Sequence, residues 1–232
     1  MRKRYTQAEK MKKAIIILII STIGFSSCKQ RSKSTPVTVE KETYNSVRNY
    51  EYADSTGNRL IIRNSFPKGG MKYTDPNGEV YGYVVFWTQI TNETINPVEL
   101  KINFPLDSFE FPSSSGRYQK LLLPSDTMTI DKAPLSGYGL NVKSFLDNHR
   151  FEASSLKRTI NPKDSTAFHV VIFSKWKSIA GGSGSMRTAL TLKGQNLIYK
   201  IFAYKMTHDL PLMDKIEINC GSINLKNLML QK

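Results

Sequence analysis

Val98-Glu-Leu-Lys-Ile-Asn-Phe104 alternates without a break: Val98, Leu100, Ile102 and Phe104 fall on one side, Glu99, Lys101 and Asn103 on the other. A period of two sends successive side chains to opposite faces of a strand, so the segment predicts a β-strand with one buried and one wet face. Just upstream, Tyr83-Val-Val-Phe-Trp-Thr-Gln-Ile-Thr91 is β-branched and aromatic, as strands prefer. Asn92-Glu-Thr-Ile-Asn-Pro97, rich in turn formers, joins the two, and they are expected to pair antiparallel.

The pattern recurs along the chain. Ala167 to Phe173 places Phe168, Val170 and Ile172 on one face, after the turn Asn161-Pro-Lys-Asp164. Arg187 to Leu192 and Leu197 to Tyr204 flank Lys193-Gly-Gln-Asn196, a hairpin signature, and Asp75-Pro-Asn-Gly78 is a further turn. Leu60–Phe66, Leu121–Leu123, Leu156–Ile160 and Ile216–Asn219 are shorter strand candidates. Only Leu140 to Asn148 has helical spacing, through Val142, Phe145 and Leu146. Short strands with frequent turns predict an all-β fold: a single antiparallel β-sandwich with one short helix, for which an immunoglobulin-like arrangement is one form. Ser113–Gly116 and Gly181–Ser185 read as exposed loops, and no internal repeat is visible.

The N-terminus has a different composition. Arg2, Lys3, Arg4, Lys10, Lys12 and Lys13 precede an apolar run, Ala14 to Phe25, of 12 residues. A membrane-spanning helix needs about 20 residues, so this run has the dimensions of a secretory signal. Met11 is an alternative start, since Met11-Lys12-Lys13 alone supplies the basic region. The run ends in Phe25-Ser26-Ser27-Cys28, which resembles the lipobox of bacterial lipoproteins, with Phe25 standing where the family most often has Leu. The resemblance covers residues 1–28 and implies cleavage before Cys28, acylation of that cysteine (palmitate among the chains) and membrane attachment. Each buried methylene contributes about 0.8 kcal/mol, so two or three acyl chains hold effectively irreversibly. Lys29 is not acidic, which in this family favours default sorting to the outer membrane of a Gram-negative bacterium, facing the periplasm. Three regions follow: signal peptide 1–27, lipidated cysteine and flexible tether 28–41, and sandwich domain 42–232. Thirteen flexible residues span about 20 Å.

Of 33 basic and 19 acidic residues, six and one precede Cys28, so the mature chain carries 27 and 18, a net charge of +9. The excess is spread without a block of like charge, and no nucleic-acid partner is expected. With Cys28 lipidated only Cys220 remains, which excludes a disulfide-stapled scaffold and requires an ordinary apolar core.

Signals for chemistry are sparse. Gly181-Gly-Ser-Gly-Ser185 lacks the Gly-Lys-Ser/Thr ending of a phosphate loop and leads into a strand. His149, His169 and His208 sit at no metal-ligand spacing, and there is no HExxH, CxxC or Gly-x-Ser-x-Gly. His169 is expected on a solvent face or at a second sheet contact. Asp107, Glu110, Asp126 and Asp131 read as solvated loop carboxylates, and Asn92-Glu-Thr94 is a formal sequon. Trp87 reads as core. Trp176, between Lys175 and Lys177 and near Arg187, reads as exposed, so Lys175, Trp176, Lys177 and Arg187 form the expected partner-contact patch. The reading is therefore a lipid-anchored envelope protein acting as a non-catalytic binding or assembly module for a protein or glycan partner, with no catalytic residues, metal or cofactor. The alternative is an envelope hydrolase acting on glycan or peptide.

Overall fold

The alternation at Val98–Phe104 is realised residue by residue: Val98, Leu100, Ile102 and Phe104 are buried, while Glu99, Lys101 and Asn103 are exposed. A computed structural model describes residues 39–42, 47–104, 108–112, 116, 118–175, 186–205 and 212–225. Its strands are β1 (Val39–Glu42), β2 (Val47–Ala53), β3 (Arg59–Ser65), β4 (Lys68–Thr74), β5 (Val80–Asn92), β6 (Val98–Phe104), β7 (Gln119–Leu122), β8 (Ser154–Ile160), β9 (Ser165–Lys175), β10 (Met186–Lys193), β11 (Asn196–Lys205) and β12 (Leu212–Asn224). One α-helix, α1 (Val142–His149), follows two 3-10 turns at Ile130–Lys132 and Ser136–Gly139. The expected helix and each of the weaker strands are present. β1 takes up the last residues of the stretch read as tether.

The strands form two antiparallel sheets. One has seven strands in the order β1-β2-β3-β5-β9-β7, with β4 also on β5; the other has the order β10-β11-β12-β6-β8. β3 and β4 run end to end along the same side of β5, parted at Phe66-Pro67 because proline offers no ladder N–H. The Asp75–Gly78 turn closes β4 onto β5: Asp75 Oδ1 accepts from the Asn77 and Glu79 amides, both at 2.9 Å. The β10–β11 hairpin turns on Gly194-Gln195 as the sequence indicates, with Gly194 at φ 62. In β12, Cys220 is the extra residue of a bulge opposite Leu197/Ile198. The next residue, Gly221, takes φ 142, and a Cβ there would stand 2.0 Å from the Lys101 carbonyl oxygen of β6. Only glycine lets the two backbones approach that closely.

The expected pairing of the Tyr83–Thr91 strand with Val98–Phe104 does not occur. β5 belongs to the first sheet, between β3 and β9, and β6 to the second, between β12 and β8. Asn92–Pro97 is a crossover between layers, so the apolar faces of β5 and β6 meet across the sandwich. The crossover is held by Asn92, fully buried, whose amide nitrogen lies 2.8, 3.0 and 3.2 Å from the carbonyls of Asn96, Ile160 and Asn161. Its Oδ1 accepts from the Thr94 amide at 3.0 Å. The formal sequon is thus a buried clasp.

Two apolar layers result. Between the sheets lie Leu60, Ile62, Phe86, Phe104, Phe168, Tyr199 and their neighbours. The outer face of the seven-stranded sheet is also buried: Val85, Trp87, Val171 and Phe173 lie beneath Met128, Tyr138, Leu140, Val142 and Leu146. β5 and β9 are therefore covered on both sides, which explains their continuous apolar runs. One seam of the sandwich is fastened by side chains. Asn64 of β3 accepts from the Leu190 amide (2.8 Å) and donates to the Leu190 carbonyl (3.2 Å), while the Tyr52 hydroxyl accepts from the Leu192 amide (2.8 Å). These bonds occupy the outer edge of β10. At the opposite side, β7 ends one sheet and β8 the other.

Candidate functional site

Of the expected contact patch, Lys175 is exposed at the end of β9. Arg187 is half-buried near the start of β10, with its guanidinium 4.9 Å from the centroid of the Phe66 ring and Nη1 donating to the Met186 carbonyl at 2.7 Å. That places Arg187 as a packed residue at the fastened seam. Trp176, Lys177 and the Gly181–Ser185 run lie outside the described residues, as do Cys28, the N-terminal segment expected to be a signal peptide, and His208. Among the described residues no helix is long and apolar enough to cross a membrane.

His169 is fully buried, which corrects the expectation of a solvent face or second sheet contact. It lies on the outer face of β9 under the 3-10 lobe, with Nε2 3.0 Å from the Tyr138 carbonyl oxygen and Nδ1 3.4 Å from that of Asp126. It is part of the layer that covers the sheet.

The residues that converge on an opening lie around the end of α1. The helix starts at Asn141, whose side chain accepts from the Ser144 amide at 3.2 Å. Its inner face, Val142, Phe145 and Leu146, joins the outer apolar layer. Its far end is tied to the β4–β5 hairpin: the Tyr73 hydroxyl donates to Asp147 (2.6 Å), and Arg150 pairs with buried Asp75 (3.1 Å). Hydrogen bonds from Lys143 and Tyr73 hold the Asp147 carboxyl below the usual carboxylate range. Burial, and then that same bond, push the Tyr73 hydroxyl up to about 12.

With the helix so fixed, the turn after it is placed precisely enough to shape a site. The Glu152 amide donates to the His149 carbonyl (3.1 Å), and its carboxylate returns to His149 Nδ1 at 2.9 Å. The imidazole also lies against Phe145, ring centroids 5.6 Å apart. Ala153 then leads into β8, which opens with Ser154 and Ser155, and Leu123 and Ser125, following β7, line the same cleft. Together these eight residues line an open cleft of about 210 Å³. Its lining combines three apolar residues (Leu123, Phe145, Ala153) with three hydroxyls, one imidazole and one carboxylate, and no Lys or Arg is among the lining residues. His149 and Glu152 are 48% and 64% exposed, so the pair works in water. Phe151, beside Glu152 in the chain, is 67% exposed.

The sequence reading treated His149 only as a histidine without a metal partner, and it did not single out Glu152. Their spacing of three residues at a helix end was a usable signal; the serines and Leu123 become neighbours only through the crossing of the sheets. The loop carboxylates fall away from the cleft: Asp126 and Asp131 are exposed in the 3-10 lobe, Glu110 accepts from the Gly116 amide at 2.8 Å, and Asp107 lies outside the described residues. Among the described residues, no three or more His, Cys, Asp or Glu side chains come together as a metal-binding group. No protein-family model matches this chain, nor does any curated protein or solved structure.

Proposed function

We propose that this chain is a lipid-anchored protein of the bacterial cell envelope, cut before Cys28, whose sandwich acts as a non-catalytic binding or assembly module through the cleft at the end of α1. The anchor rests on the basic, short-apolar, Ser-Ser-Cys ending of residues 1–28. The binding role rests on one observation above others: the His149–Glu152 pair of the cleft is open to water. Catalytic hydrogen-bonding groups gain their effect where water is excluded and the effective dielectric is low. Half-exposed groups in an open cleft suit reversible recognition.

Two experiments test this. Growth with an alkyne fatty acid is expected to label wild type and not Cys28→Ala; equal label on both ends the lipoprotein reading. For the cleft, His149→Gln with Glu152→Gln keeps hydrogen-bonding side chains but removes proton transfer. The binding reading expects cells carrying this pair to keep most of the function, with at most a severalfold loss, while Ala153→Trp, which fills the cleft, reproduces the deletion phenotype at normal protein levels. Lys175→Ala in the same cells tests the face at the end of β9.

A second reading, a hydrolase acting on glycan or peptide, has one specific observation behind it. A histidine oriented at Nδ1 by a carboxylate, beside three serines, is the base half of a nucleophilic site. It expects the Gln pair to lose about 10²–10⁴ in function and Ser125, Ser154 or Ser155 to react with a fluorophosphonate.

A further inference from the structure

We infer that the cleft holds one ring of a neutral glycan chain. The inference rests on the binding reading above and adds the class of ligand. A pyranose ring has apolar C–H faces and a rim of hydroxyls that both donate and accept. The cleft offers both kinds of surface side by side, apolar Leu123, Phe145 and Ala153 together with polar Ser125, Ser154, Ser155, His149 and Glu152. Serine hydroxyls donate and accept, a carboxylate only accepts, and a neutral imidazole does one at each nitrogen. With Nδ1 of His149 held by Glu152, Nε2 is the ring nitrogen left for a ligand.

Size and charge narrow the class. Pockets that enclose a drug-sized ligand measure about 300–1,000 Å³. At about 210 Å³ and open to solvent, this one accommodates a single ring of a longer chain. Phe151, exposed immediately before Glu152, offers an apolar surface to an adjoining ring. The mature chain is basic, which on its own would favour an acidic polymer. Locally the sign reverses: the lining carries Glu152 and no Lys or Arg. A uronic acid, a phosphate or a peptide C-terminus seated in the cleft would bring a second negative charge beside Glu152 where the lining supplies no Lys or Arg; Arg150 and Lys120 lie instead against the Phe151 ring, 4.6 and 5.9 Å from its centroid.

The test uses the full-length protein in a glycan-free detergent. Tetrasaccharides of glucose, mannose and N-acetylglucosamine are titrated while the His149 imidazole is followed by NMR, with tetragalacturonate and a Gly-Ser-Ala-Gly peptide as comparators. At least one neutral tetrasaccharide is expected to bind saturably, with a dissociation constant on the order of 1 mM, and tetragalacturonate about tenfold or more weaker. Ala153→Trp and Glu152→Ala should each weaken binding at least about tenfold, and Glu152→Gln by less than about threefold, with thermal midpoints near wild type. No response of His149 to any neutral tetrasaccharide by about 10 mM, a response unchanged in Ala153→Trp, or tighter binding of the tetragalacturonate or the peptide overturns the inference. If that happens while Ala153→Trp still abolishes function in cells, the binding module stands and the glycan falls. If Ala153→Trp is silent in cells as well, both fall.

Discussion

Replacing Asn92 by alanine would unfasten the crossover that carries the chain from one sheet to the other. The side chain is fully buried and serves four backbone groups: the carbonyls of Asn96, Ile160 and Asn161 and the amide of Thr94. Asn96 keeps a second partner in the Thr94 hydroxyl at 2.9 Å, and Asn161 lies at an exposed position. The Thr94 amide and the Ile160 carbonyl lose their Asn92 partner in a buried site. An abandoned buried polar group costs about 1–3 kcal/mol, so the expected loss is about 4 kcal/mol. In a domain of this size that lowers Tm by about 8–16 °C. Asn92→Asp separates the two halves of the clasp. It keeps the acceptor for Thr94 but turns an oxygen toward three carbonyls, and it should destabilise at least as much as alanine. Asn103→Ala, on the wet face of β6, should stay within about 0.5 kcal/mol. Urea denaturation of residues 35–232, one compact unit of the chain, measures all three. Midpoints for Asn92→Ala and Asn103→Ala that coincide, or an Asn92→Asp protein as stable as wild type, would refute the reasoning.

Leu100→Asp should cost several kcal/mol by placing a carboxylate between the sheets, against about 0.5 kcal/mol or less for Lys101→Ala; equal denaturation midpoints would mean the facing of β6 is wrong. Arg150→Met leaves Asp75 charged and buried and should cost about 3–5 kcal/mol, and adding Asp75→Asn should recover part of it because an amide oxygen still accepts from Asn77 and Glu79; an additive double mutant would sink the coupling. Cys220 is 1% exposed, and burial pushes its thiol from an ordinary 9.0 up to about 12. The unfolded chain releases that proton first, so the thiol's contribution is whole below pH 9 and is lost as pH rises toward 12. Denaturation midpoints should fall across that window, less steeply in Cys220→Ala, and a thiol reagent at pH 8 should react only after denaturant is added; rapid native labelling would contradict the burial.

The legible parts of this fold were those where one side chain determines one side of one element. The β6 alternation, the Val142–Phe145–Leu146 face of α1 and the turns at Asp75–Gly78 and Gly194-Gln195 depend on local geometry alone. β2, read from Val-Arg-Asn-Tyr-Glu-Tyr-Ala, and β4, with two glycines among seven residues, carry little strand signal because the strands beside them supply their stability. The β5–β6 error has a physical cause: a turn-rich connection is equally compatible with a hairpin and with a crossover, and the buried role of Asn92 is invisible until Ile160 is beside it. The second apolar layer was encoded, since an unbroken run such as Tyr83–Trp87 cannot have a wet face. The cleft was not, because Leu123, Ser125, His149 and Ser154 are brought together by tertiary crossing and share no periodicity.

An edge strand normally presents a row of open hydrogen-bonding groups to any chain that passes. On β10 the Leu190 amide and carbonyl and the Leu192 amide are already engaged by Asn64 and Tyr52. At high local concentration, as on a crowded two-dimensional surface, that edge gives a neighbouring copy little to template on. In heavy water the same amides should keep their protons about as long as those of the sheet centre, although they lie at its margin. Asn64→Ala would release both properties together: fast deuterium uptake at Leu190 and a new tendency to form ribbons.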